Sequence, residues 1–206
     1  METAEFRIAG TSKCNEDSPV PRPIQLETER LTLLAGTLDI ARAEARDRAA
    51  LSALLGANIH PRWPPDEHDK AAREFFLGYL TEHPDAVGFM GWSWLLRANE
   101  SDGRPLLIGG GGFKGLPLED GTVEIGYSIV EEYYGRGLAT EAVRALVAWA
   151  FGDARVCRII AETLPHLRAS QRVLEKNGFV RAEEAAADLG AIRYTLPRET
   201  WMRRAQ

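Results

Sequence analysis

Glu131-Glu132-Tyr133-Tyr134-Gly135-Arg136-Gly137-Leu138-Ala139-Thr140-Glu141-Ala142 stands between two different hydrophobic periods. Ahead of it, Val123, Ile125, Tyr127 and Ile129 alternate with Glu124, Gly126 and Ser128, the period of two that marks a strand. Behind it, Ala139, Val143, Leu146 and Ala150 recur at helical spacing, with Ala142 and Trp149 beside them. The segment therefore reads as strand, short loop, glycine turn and helix. Gly135 and Gly137 let the backbone approach a ligand with no side chain in the way. The first turn of the helix leaves N–H groups without intrahelical acceptors, at the positive end of the helix dipole. Such a place suits a phosphate or pyrophosphate, and Arg136 adds a positive charge. An ordinary loop needs the same glycines to turn, so the segment alone leaves both readings open.

Two phosphate-binding motifs do not fit. A dinucleotide fingerprint wants a third glycine where Thr140 stands, and a first glycine close to the strand end, whereas residues 131–134 intervene. Gly109-Gly110-Gly111-Gly112-Phe113-Lys114 lacks the Gly-Lys-Ser/Thr ending of a P-loop. A glycine run inside a strand more often marks a bulge or tight backbone packing.

Working outward, 206 residues suit one domain with a sizeable core. Hydrophobic residues at 45% and charged residues at 27% are ordinary for a globular chain. A net charge of −5, with no basic block, argues against nucleic acid as the main partner. Cys14 and Cys157 form neither a metal spacing nor a disulfide framework, and Cys157, in an apolar strand, reads as a buried thiol. His60, His68, His83 and His166 are scattered and make no metal motif. Residues 1–23 are largely polar, close on Pro19, Pro21 and Pro23, and read as a flexible tail, leaving residues 24–206 as a single domain. No apolar stretch of signal-peptide length and no run of about 18 apolar residues occurs, so no membrane is expected and the expected location is cytoplasmic.

The remaining elements follow from propensity and punctuation. Residues 30–35 read as the first strand, and 38–55 as one helix of good helix formers ended near Gly56. Residues 57–65 are too rich in proline to be helical, and Asp66 is placed to cap a helix running to about Glu82. Residues 86–97 and 106–114 read as strands joined by a turn around Asp102-Gly103, with Trp92 and Trp94 on one core-facing side. Residues 156–162 read as a buried strand, 168–177 as a helix stopped by Gly178, and 179–183 and 191–196 as the last strands. The mixture implies an α/β chain of the α+β type, a mixed sheet with helices on its faces.

Tyr134-Gly135-Arg136-Gly137-Leu138-Ala139 resembles the Gln/Arg-x-x-Gly-x-Gly/Ala motif of GNAT-superfamily N-acetyltransferases. Thr28-Glu29-Arg30-Leu31 is similar to the opening of the first strand in one branch of that family. Ala169-Ser170-Gln171-Arg172-Val173-Leu174-Glu175-Lys176-Asn177-Gly178-Phe179 resembles the Ala-Ser-x-x-Val-Leu-Glu-Lys-x-Gly-Phe segment of the branch containing ribosomal-protein N-terminal acetyltransferases. The two main blocks come in the family's order with one strand between them. The resemblance implies a mostly antiparallel central sheet with one splayed parallel pair, here residues 122–130 and 156–162. It implies acetyl-CoA in the wedge between those strands, an amine acceptor arriving from the other side, and no metal. The cofactor set it implies is Ile129, Val130, Tyr134, Gly135, Arg136, Gly137, Leu138, Ala139 and Thr140. In that set the backbone N–H groups near Ile129 and Val130 bind the pantetheine and polarise the thioester.

Acetyl transfer to an amine needs a route for the ammonium proton, a donor for the oxyanion and assistance to the departing thiolate. Glu124, on the strand lining the wedge, is the candidate base, acting through water; a solvated glutamate on a polar strand face is the competing reading. Ser170 is the candidate hydrogen-bond donor to the CoA sulfur by the same resemblance, against a role capping helix amides. Trp63, in the loop that in this fold borders the acceptor site, is the candidate substrate contact, against a surface-packing role covering an edge of the core. Several positions depart from the family pattern. Tyr134 replaces Gln or Arg, Glu131 a frequent proline, Leu167 an asparagine that often holds the cofactor, and Leu174 the tyrosine that often serves as general acid. Ser170 lies at i−4 from Leu174, on the same expected helix face. The resemblance leaves open a protein N-terminus or a small molecule as acceptor, and a non-catalytic acyl-CoA-binding module as the rival. It says nothing of oligomeric state.

Overall fold

The computed structural model describes residues 24–205 apart from 66, 67, 69, 102, 184, 185, 188 and 189. The expected tail, the Asp66 cap and the Asp102 half of the turn lie outside the described residues. Nine strands form one sheet: β1 Gln25–Glu27, β2 Leu31–Ala35, β3 Asn58–Ile59, β4 Gly91–Leu96, β5 Leu106–Phe113, β6 Thr122–Ile129, β7 Arg158–Thr163, β8 Val180–Arg181 and β9 Ile192–Pro197. The helices are α1 Leu38–Arg46, α2 Arg48–Leu55, α3 Lys70–Glu82, α4 Leu138–Gly152, α5 Arg168–Lys176 and α6 Arg198–Ala205. The strand order is β1-β2-β4-β5-β6-β7-β9-β8, antiparallel throughout except at β6–β7. The two-residue β3 runs parallel to β5 at Leu106 and Leu107, just past the point where β6 stops pairing.

The expected alternation in β6 holds. Val123, Ile125 and Ile129 are buried against α4, which returns Ala142, Val143, Leu146 and Ala150, all buried. Trp92 and Trp94 are core residues, as expected. The glycine run serves both expected ends. The β4–β5 register slips between Trp94 and Leu95, and a Cβ on Gly112 would lie 2.1 Å from the Met90 carbonyl oxygen.

Several local expectations are corrected. Residues 38–55 form two helices, because Asp47 ends α1 and caps α2, accepting from the N–H groups of Ala49 at 2.9 Å and Ala50 at 3.0 Å. The strand expected from Ala86 begins only at Gly91. Pro84 opens a short 3₁₀ turn, and Gly88 then takes φ +93°, where a Cβ would lie 2.5 Å from the Trp149 ring, a conformation that breaks the strand. Cys157 is exposed, not buried, since it precedes β7 and Val156 takes the inward place. The edge strand β1, the two-residue β3 and the C-terminal helix α6 were not expected.

Candidate functional site

The parallel pair opens as its family resemblance requires. β6 and β7 pair only from Thr122–Arg158 to Glu124–Ile160. Beyond that, β7 stays with β9 as far as Thr163–Ile192, while β6 stays with β5 as far as Ile129–Gly109. In the β5–β6 ladder Lys114 donates its N–H to the Glu124 carbonyl at 3.0 Å, and Val130 donates to Ile108 at 2.8 Å. The residues between alternate, so the N–H groups of Tyr127 and Ile129 turn away from β5 toward the opening. The expectation for residues 129 and 130 is therefore split. Ile129 offers a backbone donor to the wedge, and Val130 does not, because its N–H is spent inside the sheet.

A cavity of about 370 Å³ fills the opening. Of the residues expected to hold the cofactor, Ile129, Tyr134, Gly135, Gly137, Leu138, Ala139 and Thr140 line it. Arg136 does not. Its guanidinium lies over the Tyr133 ring, 5.0 Å from the centroid, and its carbonyl accepts from Arg30 Nη1 at 2.9 Å. Gly135 and Gly137 take φ +73° and +79°, and Gly137 is the N-cap of α4 with no side-chain cap. The first backbone bond of α4 is Glu141 N–H to Gly137 at 3.0 Å, so the N–H groups of Leu138, Ala139 and Thr140 have no intrahelical acceptor. On the opposite wall, α5 contributes Ala169, Ser170, Arg172, Val173 and Lys176. Asn177 ties the two walls by donating from Nδ2 to the Thr140 carbonyl at 3.2 Å.

The Thr28-Glu29-Arg30-Leu31 opening closes on this loop. Glu141 of α4 accepts from Thr28 Oγ1 at 2.7 Å, from Arg30 N–H at 2.8 Å and from Arg30 Nε at 2.8 Å. Burial pushes the Glu141 carboxyl up, but these donors and the guanidinium charge outweigh it and hold the group below the ordinary range.

Ser170 lies on the cavity wall, and its competing role as a cap is not what the helix shows: the N-cap of α5 is Leu167, with no side-chain cap bond. Tyr127 holds Ser170 in place, donating from its hydroxyl to the Ser170 carbonyl at 3.0 Å with Ser170 Oγ at 3.2 Å. Burial raises the Tyr127 phenol well above its ordinary value, more than the Ser170 hydrogen bond lowers it. Leu174 follows Ser170 by one helical turn but is buried in the core and does not line the cavity, where Val173 does.

A second cavity, of about 280 Å³, lies on the other side of the sheet opening. α1 presents Ile40, Ala41 and Glu44 to it, and α3 presents Ala72, Phe76 and Leu80. Its floor includes Trp92, Gly110, Gly111, Gly112, Gly126 and Ser128. Trp63 combines its two readings, lining this cavity while only 7% exposed and packed over Gly110. Arg48 anchors the Trp63 loop by donating to the carbonyls of Ile59 and Trp63, each at 3.2 Å. The two cavities share Tyr127, Ser128 and Leu167. Glu124 lines neither. Its carboxylate is bound by Lys114 Nζ across the β5–β6 ladder, and it sits four residues along β6 from Ser128, where the cavities meet.

The acetyltransferase (GNAT) domain model matches residues 38–180. The chain belongs to the GNAT acetyltransferase family. It is accordingly an acyltransferase, of a family whose acyl donor is acetyl-CoA. An uncharacterized N-acetyltransferase of Bacillus subtilis, YjdG, is 31% identical over 165 residues, covering 79% of this chain and 94% of the relative. A putative ribosomal-protein-serine acetyltransferase from Vibrio cholerae shares the fold with TM-score 0.57 and 20% identity, over 84% of this chain and 97% of that one. Aminoglycoside acetyltransferase AAC(6')-Ib, solved with coenzyme A and kanamycin, does so with TM-score 0.57 and 21% identity, over 85% and 99%. Among the described residues, no cluster of three or more His, Cys, Asp or Glu is placed to hold a metal ion. No described helix is long and apolar enough to cross a membrane.

The first cavity fits acetyl-CoA on its own geometry. It combines two left-handed glycines and three unpaired helix N–H groups, as a pyrophosphate requires. The N–H of Ile129 faces the same cavity, and Arg172 and Lys176 on its wall are cationic. Tyr127 was not singled out from the sequence, and no local pattern distinguishes it from its buried neighbours on β6; Leu167 was noted only as a departure from the family's cofactor-holding asparagine.

Proposed function

We propose that this protein is an N-acetyltransferase that moves the acetyl group of acetyl-CoA to a primary amine. What carries the reading is the meeting of two cavities at Tyr127, Ser128 and Leu167, at the place where β6 leaves β7. A carrier of acyl-CoA needs only the first cavity. A transferase needs a second that opens onto the first. Acetyl-CoA supplies the activated acyl group as a thioester.

The chain's own residues then have distinct work. The backbone of Gly135, Gly137 and the first turn of α4 holds the pyrophosphate, with Arg172 and Lys176 beside it. The N–H of Ile129 orients the pantetheine arm. Ser170, fixed by Tyr127, faces the region where the sulfur lies and stabilises the departing thiolate by a hydrogen bond. Trp63, Phe76, Leu80 and Trp92 exclude water and take an acceptor with an apolar body, a small amine or the first residue of a protein chain. The acidic groups of the cavity do not form the open carboxylate cluster that a polycation would need.

The test is calorimetric binding of CoA alongside release of free thiol from acetyl-CoA with a panel of primary amines. The panel runs from phenylethylamine and tyramine through kanamycin to short peptides with free N-termini. Turnover on apolar amines or peptides supports the reading. Tight CoA binding with no turnover on any acceptor refutes it and leaves an acyl-CoA-binding module.

A further inference from the structure

Five titratable side chains line the acceptor cavity: Glu44, His68, Lys114, Tyr127 and Glu162. Four of them are already engaged by neighbouring groups. Lys114 is a cation already paired with Glu124. Tyr127 is a phenol raised by burial, and its proton is committed to Ser170. Glu162 is held by Arg193 Nε at 3.0 Å and Nη2 at 2.7 Å and by the Ala187 N–H at 2.8 Å. Glu44 Oε1 faces His68 Nε2 at 3.1 Å. A carboxylate only accepts, so that ring nitrogen carries the proton and donates it. The other nitrogen, Nδ1, makes no hydrogen bond among the described residues, and in the neutral imidazole it carries the ring's basic lone pair.

The two side chains are only 13% and 16% exposed. Glu44 is the one charged group on the apolar α1 face made with Ile40 and Ala41. His68 stands four positions ahead of Ala72, before α3 begins at Lys70, and lines the same cavity as Ala72, Phe76 and Leu80. Its ring is 5.4 Å from the Trp63 ring centroid and 6.1 Å from that of Phe76. An imidazole lining a cavity, with one nitrogen held by a carboxylate and the other without a hydrogen bond among the described residues, has the arrangement of a general base.

We infer that His68, oriented by Glu44, is the residue that takes the proton from the acceptor ammonium. The inference rests on the transferase reading above. Overall, R–NH3+ and acetyl-S-CoA give R–NH–acetyl, CoA-SH and H+. Nδ1 of His68 takes the first proton, leaving a neutral amine whose lone pair forms the N–C bond. The C–S bond breaks with its electron pair going to sulfur, sulfur gains the second nitrogen proton, and the imidazolium returns its own proton to solvent. Glu44 is a positioning residue: it fixes the tautomer and stabilises the imidazolium.

The experiment is the pH dependence of kcat/KM, from pH 5.5 to 9, on the best amine of the panel. It compares the wild type with His68→Gln, His68→Ala, Glu44→Gln and Glu124→Gln, with CoA affinity and Tm measured for each. His68→Gln should lower kcat at neutral pH by about 10²- to 10⁴-fold, remove the acidic limb of the profile and leave the CoA dissociation constant unchanged. Free imidazole should restore part of the activity of His68→Ala, which a purely structural loss would not allow. Glu44→Gln should shift the limb and cost less. The inference is overturned if His68→Gln keeps kcat within threefold with the same profile, or if imidazole restores nothing. It is also overturned if Glu124→Gln, and not His68→Gln, removes the limb. A wild type that binds CoA but acetylates no amine overturns the transferase reading itself, a different result from any of these.

Discussion

Gly137→Val strikes the cofactor turn through its backbone. Gly137 sits at φ +79°, ψ 0°, as the N-cap of α4. A Cβ there meets only Arg30 Nη2, at 3.6 Å, an ordinary contact, so no collision contributes. The cost is conformational: a left-handed position costs an L-residue about 1–2 kcal/mol, and a β-branched side chain is the least tolerant of it. Two responses are open to the chain. Keeping the turn lowers stability by that amount, which for a domain of this size is a fall in Tm of roughly 2–8 °C. Relaxing the turn rotates the N–H groups of Leu138, Ala139 and Thr140 away from the cavity, and the side chain stands where a pyrophosphate must approach. Either way CoA affinity should fall by at least about tenfold, roughly 1.4 kcal/mol, measured by isothermal calorimetry beside a thermal melt. A dissociation constant within twofold of wild type, with the melt lowered as expected, would show that this backbone does not contact the cofactor and would remove residues 135–140 from the site.

Three further outcomes test other parts of the structure. Ser170→Ala should lower kcat by about 0.5–1.5 kcal/mol, roughly 2- to 12-fold, with Tyr127→Phe producing a similar loss by releasing Ser170; unchanged turnover in Ser170→Ala means the thiolate leaves unassisted. Gly126→Leu should raise the acceptor KM by at least about tenfold and leave CoA binding alone, because a Cβ at Gly126 meets only Lys114 Cε, at 3.9 Å, and points into the acceptor cavity; an unchanged KM would place the acceptor elsewhere. Glu141→Gln should cost about 1.5–3 kcal/mol at pH 7, or roughly 3–12 °C in Tm. Since the folded state holds this carboxyl below its ordinary value, its contribution is fully present above the unfolded value and fades as pH falls through the folded one. The Tm gap between wild type and variant should therefore close as the pH falls well below about 4, and a gap that persists there would rule out the charge as its origin.

The two halves of the site were unequally legible for a physical reason. The donor half is mostly backbone from one continuous segment, so alternation before it, helical spacing after it and the two glycines between them marked a place that suits a phosphate, and of the nine residues implied there by the family resemblance seven line the first cavity. What failed there was non-local. Whether Ile129 or Val130 turns its N–H to the wedge depends on the register with β5, and Arg136 was drawn off by Tyr133 and Arg30. The acceptor half comes from α1, the Trp63 loop, α3 and the inner strands. Glu124 lies on the expected face of β6, with Gly126 and Ser128, but the same β5 register sets it against Lys114. Glu44 and His68 stand 24 positions apart and meet only because α1 packs on the lead-in to α3. One local signal existed. His68 stands four residues ahead of the apolar positions Ala72, Phe76 and Leu80, and Glu44 stands three and four after Ala41 and Ile40. A titratable group continuing an apolar helix face has to find a counterpart or forfeit its hydration. Two such groups, one on α1 and one just ahead of α3, both lining one cavity, are each other's simplest counterpart.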